Sequence, residues 1–305
     1  MFAALLENSS SLQATPLSIF AANEESLMFA KATTKVIFGV SISLATLVST
    51  QAFADATLER IKGRGKLTVG VILSGAPFGF IDPKSQEQKG YNVDLAKALA
   101  ADLGVELEAV TVTPPNRVQF LQQGKVDILI ANMQYTDERA KILDYVPTAY
   151  DRAGGAAVVR KDSGLKDWAD LKGKPVCISQ GSNYAQPLAE EYGAIVKALP
   201  SQPESLLALQ GGNCVAAVHV GATVGLLLVD RADEWKDYAI PFPTELIPSD
   251  SVIWLRKDES DTKTALDAAV KKLHKSGKLL EMAKENRLLN TKYLEEENKK
   301  LSAVQ

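Results

Sequence analysis

The sequence predicts an α/β protein of two lobes, each a mostly parallel sheet flanked by helices, with the chain crossing between them twice. Three observations carry this. Short apolar runs alternate with helix-period segments, the pattern of repeated β-α-β units with right-handed crossovers. That alternation occurs as two successive series. The 305 residues also exceed what one hydrophobic core usually serves.

In the first series, Leu67–Val71 reads as a short buried strand. Residues Asn92–Leu103 place Val93, Ala96, Leu99 and Leu103 on one helix face. The alternating run VELEAVTV (105–112) reads as a strand, Arg117–Gln123 as a short helix, and Val126–Ala131 as a strand covered on both faces. The second series opens with helical Leu165–Leu171 and the strand PVCIS (175–179). A helix over Ser182–Tyr192, the strand AIVKAL (194–199) and a helix over Pro203–Gln210 follow. The strand CVAAVHV (214–220) then leads into a helix over Gly221–Val229. SVIWLRK (251–257) is a late strand, Thr262–Lys275 and Gly277–Arg287 are closing helices, and the charged tail Tyr293–Gln305 reads as an exposed helix end. A turn-like stretch at Tyr150–Gly155 marks the first crossing and Pro248–Ser251 the second. One lobe is then residues 55–151 plus 251–305, and the other is 152–250.

The N-terminal region predicts export. Lys31 and Lys35 precede an uncharged apolar stretch from Val36 to Val48, which ends at Ala52-Phe53-Ala54. A positive segment, a short apolar segment and a small-x-small site make a signal peptide cleaved after Ala54. The pattern starts cleanly at Met28, because Glu7, Glu24 and Glu25 do not suit such a segment. Residues 1–54 are therefore expected to be leader, and the mature chain to work in the periplasm. The net charge of −3, with no basic run, argues against nucleic acid as a partner. The two cysteines, Cys177 and Cys214, each lie in an apolar strand-like run, so an oxidising compartment favours a disulfide between them. The two histidines, His219 and His274, share no metal-ligand spacing with the cysteines, and no metal or cofactor is expected.

Several segments together resemble the polar amino-acid-binding type of bacterial ABC-transporter periplasmic solute-binding proteins, family 3. They are GKLTVGV, PFGFIDP, KGYNVDLAKALAADLGV, LQQGKVDILIANMQYTDERAKILDY, VVRKDSGLKDWADLKGKPVCISQGSN and LHKSGKLLEMAKEN, and they run from Gly65 to Asn286. The resemblance implies a type II periplasmic-binding fold with ligand in the cleft between the lobes. It also implies a monomer that delivers a small carboxylate-bearing solute, a polar amino acid with the acidic ones as the narrower reading, to membrane permease subunits of an ABC importer.

The resemblance assigns site residues. Arg139, in Thr136-Asp137-Glu138-Arg139, matches the arginine that grips the ligand's α-carboxylate, a task suited to a forked, permanently charged guanidinium. A surface ion pair with Asp137, Glu138 or Asp144 is the plainer reading. Asn132 and Gln134 match positions that complete the carboxylate's shell, or else form a capping turn. Gly181, Ser182 and Asn183 match a loop that touches ligand from the second lobe, and Ser182 and Asn183 also read as a helix cap. Arg117, after Asn116, resembles the arginine of acidic-amino-acid binders; the alternative is a helix residue facing solvent.

Two places in the chain, three positions in all, depart from the family. Val220, beside His219, stands where an aspartate usually pairs with the α-ammonium. Ile72 and Gly75 stand where an acid and an aromatic often lie, and Phe78 reads as core. A buried ammonium without an acceptor is unfavourable. Either Asp250 or Asp94 substitutes, or the solute lacks an α-amino group. A periplasmic lyase of the cyclohexadienyl-dehydratase type on the same fold is the rival reading, although the sequence holds no nucleophile–base constellation.

Overall fold

The computed structural model describes residues 56–303. The leader expected over residues 1–54, with its start at Met28 and cleavage after Ala54, lies outside the described residues. In chain order the elements begin with helix α1 (Ala56–Arg64), strands β1 (Lys66–Val71), β2 (Phe80–Ile81) and β3 (Gln88–Lys89), helix α2 (Tyr91–Asp102) and strand β4 (Glu106–Thr111). Helix α3 (Arg117–Gln122), strand β5 (Ile128–Ile130), helix α4 (Asp137–Ile142), strand β6 (Asp144–Tyr145) and the long strand β7 (Asp151–Arg160) follow. A short 3-10 turn (Trp168–Leu171) leads to β8 (Pro175–Ser179), α5 (Ala185–Glu190), β9 (Ile195–Leu199), α6 (Gln202–Gln210), β10 (Ala216–Val220) and α7 (Gly221–Asp230). Strands β11 (Tyr238–Ala239), β12 (Leu246–Ser251) and β13 (Trp254–Leu255) precede helices α8 (Ser260–Lys275), α9 (Lys278–Glu285) and α10 (Lys292–Ser302).

Two main sheets result. The first has the order β4-β1-β5-β13-β6, parallel from β4 to β5 and antiparallel beyond. The second has the order β11-β7-β10-β8-β9, with β10, β8 and β9 parallel and β12 added against β7. Each sheet carries its own apolar clusters: Leu67, Leu99 and Ile128 lie in one around the first sheet, and Val176, Leu188 and Val218 in one around the second. The chain passes between the sheets at β7 and β12, and these strands pair with each other, Asp151 opposite Ser251 and Arg152 opposite Asp250. The connection is therefore a two-stranded ribbon.

Several local expectations change. The stretch Tyr150–Gly155 is not a turn, because β7 runs straight through it from Asp151. SVIWLRK is split, its first residue ending β12 and its centre forming β13. Helix α5 starts only at Ala185, so Ser182 and Asn183 do not open it, and its cap residue Tyr184 makes no side-chain capping bond. The tail forms α10, whose Leu294 is buried against the first sheet's core rather than wholly exposed. Phe78 is core, as expected.

Cys177 and Cys214 form a disulfide with their Cα atoms 5.8 Å apart. It joins β8 to the segment entering β10, which are paired neighbours. Among the described residues no helix is long and apolar enough to cross a membrane, and no cluster of His, Cys, Asp or Glu could hold a metal ion.

Candidate functional site

A cavity of about 70 Å³ lies between the two sheets. Its walls come from the carboxyl ends of strands in both: Ile72 after β1, Asn132 beyond β5, Ser182 beyond β8 and Val220 at the end of β10. Ligand sites of open α/β sheets sit at such ends, where successive connections diverge and leave a crevice.

Arg117 is the cation that lines this cavity. It heads α3, whose entry is fixed by Asn116 Oδ1 accepting from the Thr113 N–H at 2.8 Å. The side chain points inward and is only 5% exposed. Its Nη1 donates to the Ala131 carbonyl at 2.8 Å, and its Nη2 donates across the gap to the Gly181 carbonyl at 3.2 Å. The reading of Arg117 as a solvent-facing helix residue does not hold.

Arg139 reaches the same carbonyl from another direction. Thr136 caps α4 by accepting from the Arg139 N–H at 3.2 Å, which sets Arg139 in the first turn. Its Nη1 donates to the Gln134 carbonyl at 2.6 Å and its Nη2 to the Gly181 carbonyl at 2.9 Å. It lines a shallower cleft on the outer side of the Gly181–Asn183 loop, not the central cavity. The alternative reading of Arg139, a surface ion pair with Asp137, Glu138 or Asp144, finds no such pair among the described residues.

The electrostatics of this pair are unusual. Burial, together with the like charge of Arg139, pushes the Arg117 guanidinium down to about 9. Burial pushes Arg139 down to about 10. Both remain cationic at neutral pH, and their hydrogen bonds go to neutral carbonyls. Neither forms a salt bridge with a carboxylate among the described residues. Two half-compensated cations meeting at one carbonyl, one from the central cavity and one from the outer cleft, make a strong field for an anion.

The remaining expected residues gather here as well. Gln134 is buried and its Nε2 donates to the Tyr184 hydroxyl at 3.2 Å. Asn132 sits in the left-handed region at φ 48, which asparagine tolerates, and its Oδ1 accepts from Asn92 Nδ2 at 2.6 Å. Asn183 and Ser182 line the cavity, and Asn183 Nδ2 is a buried donor without a partner. Gly181 has φ +70, and a Cβ there would lie 3.2 Å from the Pro114 carbonyl of the opposite half. Only glycine combines that backbone with so close an approach.

Gln134 also ties the site to the ribbon. It bridges to Ser251, and the Tyr135 N–H donates to the Asp250 carbonyl at 2.8 Å. Tyr184, Ser179 and Thr223 line the cavity too, and the sequence offered no signal for them. The Tyr184 ring packs where a side chain on Gly155 would be, 3.0 Å from a Cβ position.

Neither proposed ammonium partner lies in the cavity wall. Asp250 pairs with Arg152 at 2.8 Å, and Asp94 with Lys97 at 3.2 Å and with Asn286. Among the described residues no carboxylate lines the cavity. His219 does, but its Nε2 bonds Ser205 Oγ at 2.8 Å, and burial pushes the imidazole down to about 3, so it is neutral.

Comparisons with known proteins agree with this architecture. The model for bacterial extracellular solute-binding proteins, family 3, matches residues 67–286. The chain is 33% identical to the ABC transporter glutamine-binding protein GlnH of Bacillus subtilis over 75% of its own length and 83% of that protein's. A crystal structure of a mutant of ArgBP from T. maritima superposes with a TM-score of 0.69 at 31% identity, covering 75% of this chain and 98% of that one. The ancestral amino acid-binding protein AncCDT-1, a precursor of cyclohexadienyl dehydratase, superposes with a TM-score of 0.67 at 28% identity, covering 75% of this chain and 99% of that one. The two-sheet architecture is the type II periplasmic-binding fold, and the chain belongs to the bacterial extracellular solute-binding proteins, family 3.

Proposed function

We propose that this protein captures a small carboxylate-bearing solute by closing one lobe, residues 152–250, onto another, residues 55–151 plus 251–305, about the β7–β12 ribbon. One observation carries the reading: two arginines of the first lobe, without carboxylate partners, converge on one carbonyl oxygen of the second. A solute carboxylate would offer full negative charge to donors now held by a neutral oxygen. Hydrogen bonds to a charged group contribute about 1.5–3 kcal/mol against about 1 kcal/mol for neutral pairs. Micromolar capture needs about 8 kcal/mol in all, which a few such bonds plus apolar burial supply after association costs. Asn183 Nδ2, Asn132 and Gln134 complete the donor set, and Gly181 lets the second lobe approach. Membership of a family of extracellular solute-binding proteins supports a place of action outside the cytoplasm, where the closed form, as a monomer, would deliver its solute to the permease of an ABC importer.

The relatives named above argue for an amino acid. A specific observation favours a second reading, a carboxylate without an α-ammonium: Val220 and the absence of any carboxylate in the cavity wall leave an ammonium with no charged acceptor. The same lack argues against a lyase that depends on a carboxyl general acid. A thermal-shift screen of amino acids and of their deaminated analogues tests both readings, because binding to the native state alone raises the melting temperature. Arg139→Ala should remove the ligand-induced shift and leave the solute-free melting transition cooperative. A full shift in that variant at saturating ligand would take Arg139 out of the site. Turnover of prephenate or arogenate by the purified protein would overturn the assignment as a binder.

A further inference from the structure

The cavity that holds Arg117 is too small for a whole extended solute. Its volume of about 70 Å³ admits roughly five water-sized groups. It does not end there. Ser74, Gln202 and Thr223 line both this cavity and a groove of about 440 Å³. The groove runs between the loop at Ser74–Ala76 and helices α6 and α7. Its lining includes Leu206, Leu226 and Trp235, all buried, with Leu227 half-buried and Leu207 66% exposed. A volume of this order is typical of small-molecule sites, which run from about 300 to 1,000 Å³.

The charged residues that line it are paired, Arg231 and Glu234 with each other and Asp230 outside the groove. Asp230 takes two hydrogen bonds from Arg287 at 3.1 and 2.7 Å. Among the described residues the groove offers no unpaired cation to a second carboxylate; the leucines and the Trp235 ring give it apolar surface, with Gln202, Gln210 and the unpartnered Trp235 Nε1 among its neutral polar groups. The α7 segment between Gly221 and Val229 carries no charged residue at all.

Resting on the reading of the arginines as a carboxylate site, we propose that the solute is a monocarboxylate with an uncharged apolar body, alkyl or aryl. Its head lies on Arg117 and its tail leaves past Ser74, Gln202 and Thr223 into the groove on α6 and α7. The absence of an ammonium acceptor and the apolar groove are then two aspects of one specificity. A dicarboxylic amino acid would put its second charge against leucine.

Isothermal titration with straight-chain carboxylates from butanoate to octanoate, and with 4-phenylbutanoate, tests this on the wild type, Leu227→Glu and Arg117→Met. Each methylene entering the groove should tighten binding by about fourfold. Leu227→Glu should flatten that dependence and leave butanoate binding unchanged. Affinity that is flat with chain length in the wild type, while polar amino acids bind and Arg117→Met abolishes their binding, overturns the apolar tail and leaves the carboxylate site standing. Undiminished binding by Arg117→Met overturns the carboxylate site and this proposal with it. Flat affinity accompanied by a concentration-dependent dimer that Leu227→Glu dissolves would assign the groove to a second copy of the chain and refute the tail.

Discussion

Replacing Arg117 with methionine should abolish carboxylate binding without destabilising the solute-free protein. The guanidinium is 5% exposed, and burial pushes its pKa from the ordinary arginine value down to about 9, a drop of roughly three to four units. At 1.36 kcal/mol per unit, holding that charge in place disfavours the folded state by about 5 kcal/mol. Methionine removes this penalty and fills similar volume with apolar atoms. Against the gain stand the bonds to the Ala131 and Gly181 carbonyls, together about 3–6 kcal/mol for a charged donor. The balance, with some apolar burial added, lies between neutral and about 3 kcal/mol more stable. At about 2–4 °C per kcal/mol, the melting temperature should stay level or rise by up to roughly 10 °C. The assay is urea and thermal unfolding with and without the best carboxylate from the screen. A loss of more than about 2 kcal/mol would mean that Arg117 is there to hold the two lobes together. A ligand-induced shift equal to the wild type's would exclude it from binding. Either result would refute the reasoning.

Two further predictions concern stability. The disulfide closes a 37-residue separation, so Cys177→Ser with Cys214→Ser should lower stability by about 4 kcal/mol in the chain-entropy model, read as a shift in urea midpoint; an unchanged midpoint would contradict it. Asp151, 3% exposed at the start of β7, is pushed up to about 7 chiefly by burial, which the Arg152 backbone N–H only partly offsets. The folded state therefore binds the proton more tightly than the unfolded chain, whose carboxyl titrates near 3.8. Stability should fall as pH rises from about 4 to about 7 and level off above, by about 4 kcal/mol for this group. Asp151→Asn should flatten that part of the profile and be more stable than the wild type at pH 8. Parallel profiles for the two proteins between pH 4 and pH 8 would contradict the prediction.

Much of the fold was legible because its strands are unbroken apolar runs and its helices keep one apolar stripe. Leu67–Val71 and PVCIS could be little else. The failures have local causes. Gly154 and Gly155 look like a turn, but they lie in a strand because the Tyr184 ring and the Glu245 side chain press against it, at 3.0 and 2.6 Å from where their Cβ atoms would be. The start of α5 was misplaced because Ser182 and Asn183 have capping chemistry, yet the loop they belong to is used to face the opposite lobe. The arginines were visible as residues, and their pattern ranked Arg139 first. Nothing in one dimension reveals that Arg117 lines the cavity while Arg139 stands behind the Gly181 carbonyl. The apolar groove was likewise invisible, since α6, α7 and the Ser74–Ala76 loop meet only in the folded chain.

A crystal structure with the tightest carboxylate from the screen is the most direct test. A carboxylate oxygen within hydrogen-bond reach of Arg117 or Arg139, with the Gly181 carbonyl moved off at least one guanidinium, is the expected result. Both guanidiniums still held on Gly181, with the solute bound elsewhere, would contradict the account.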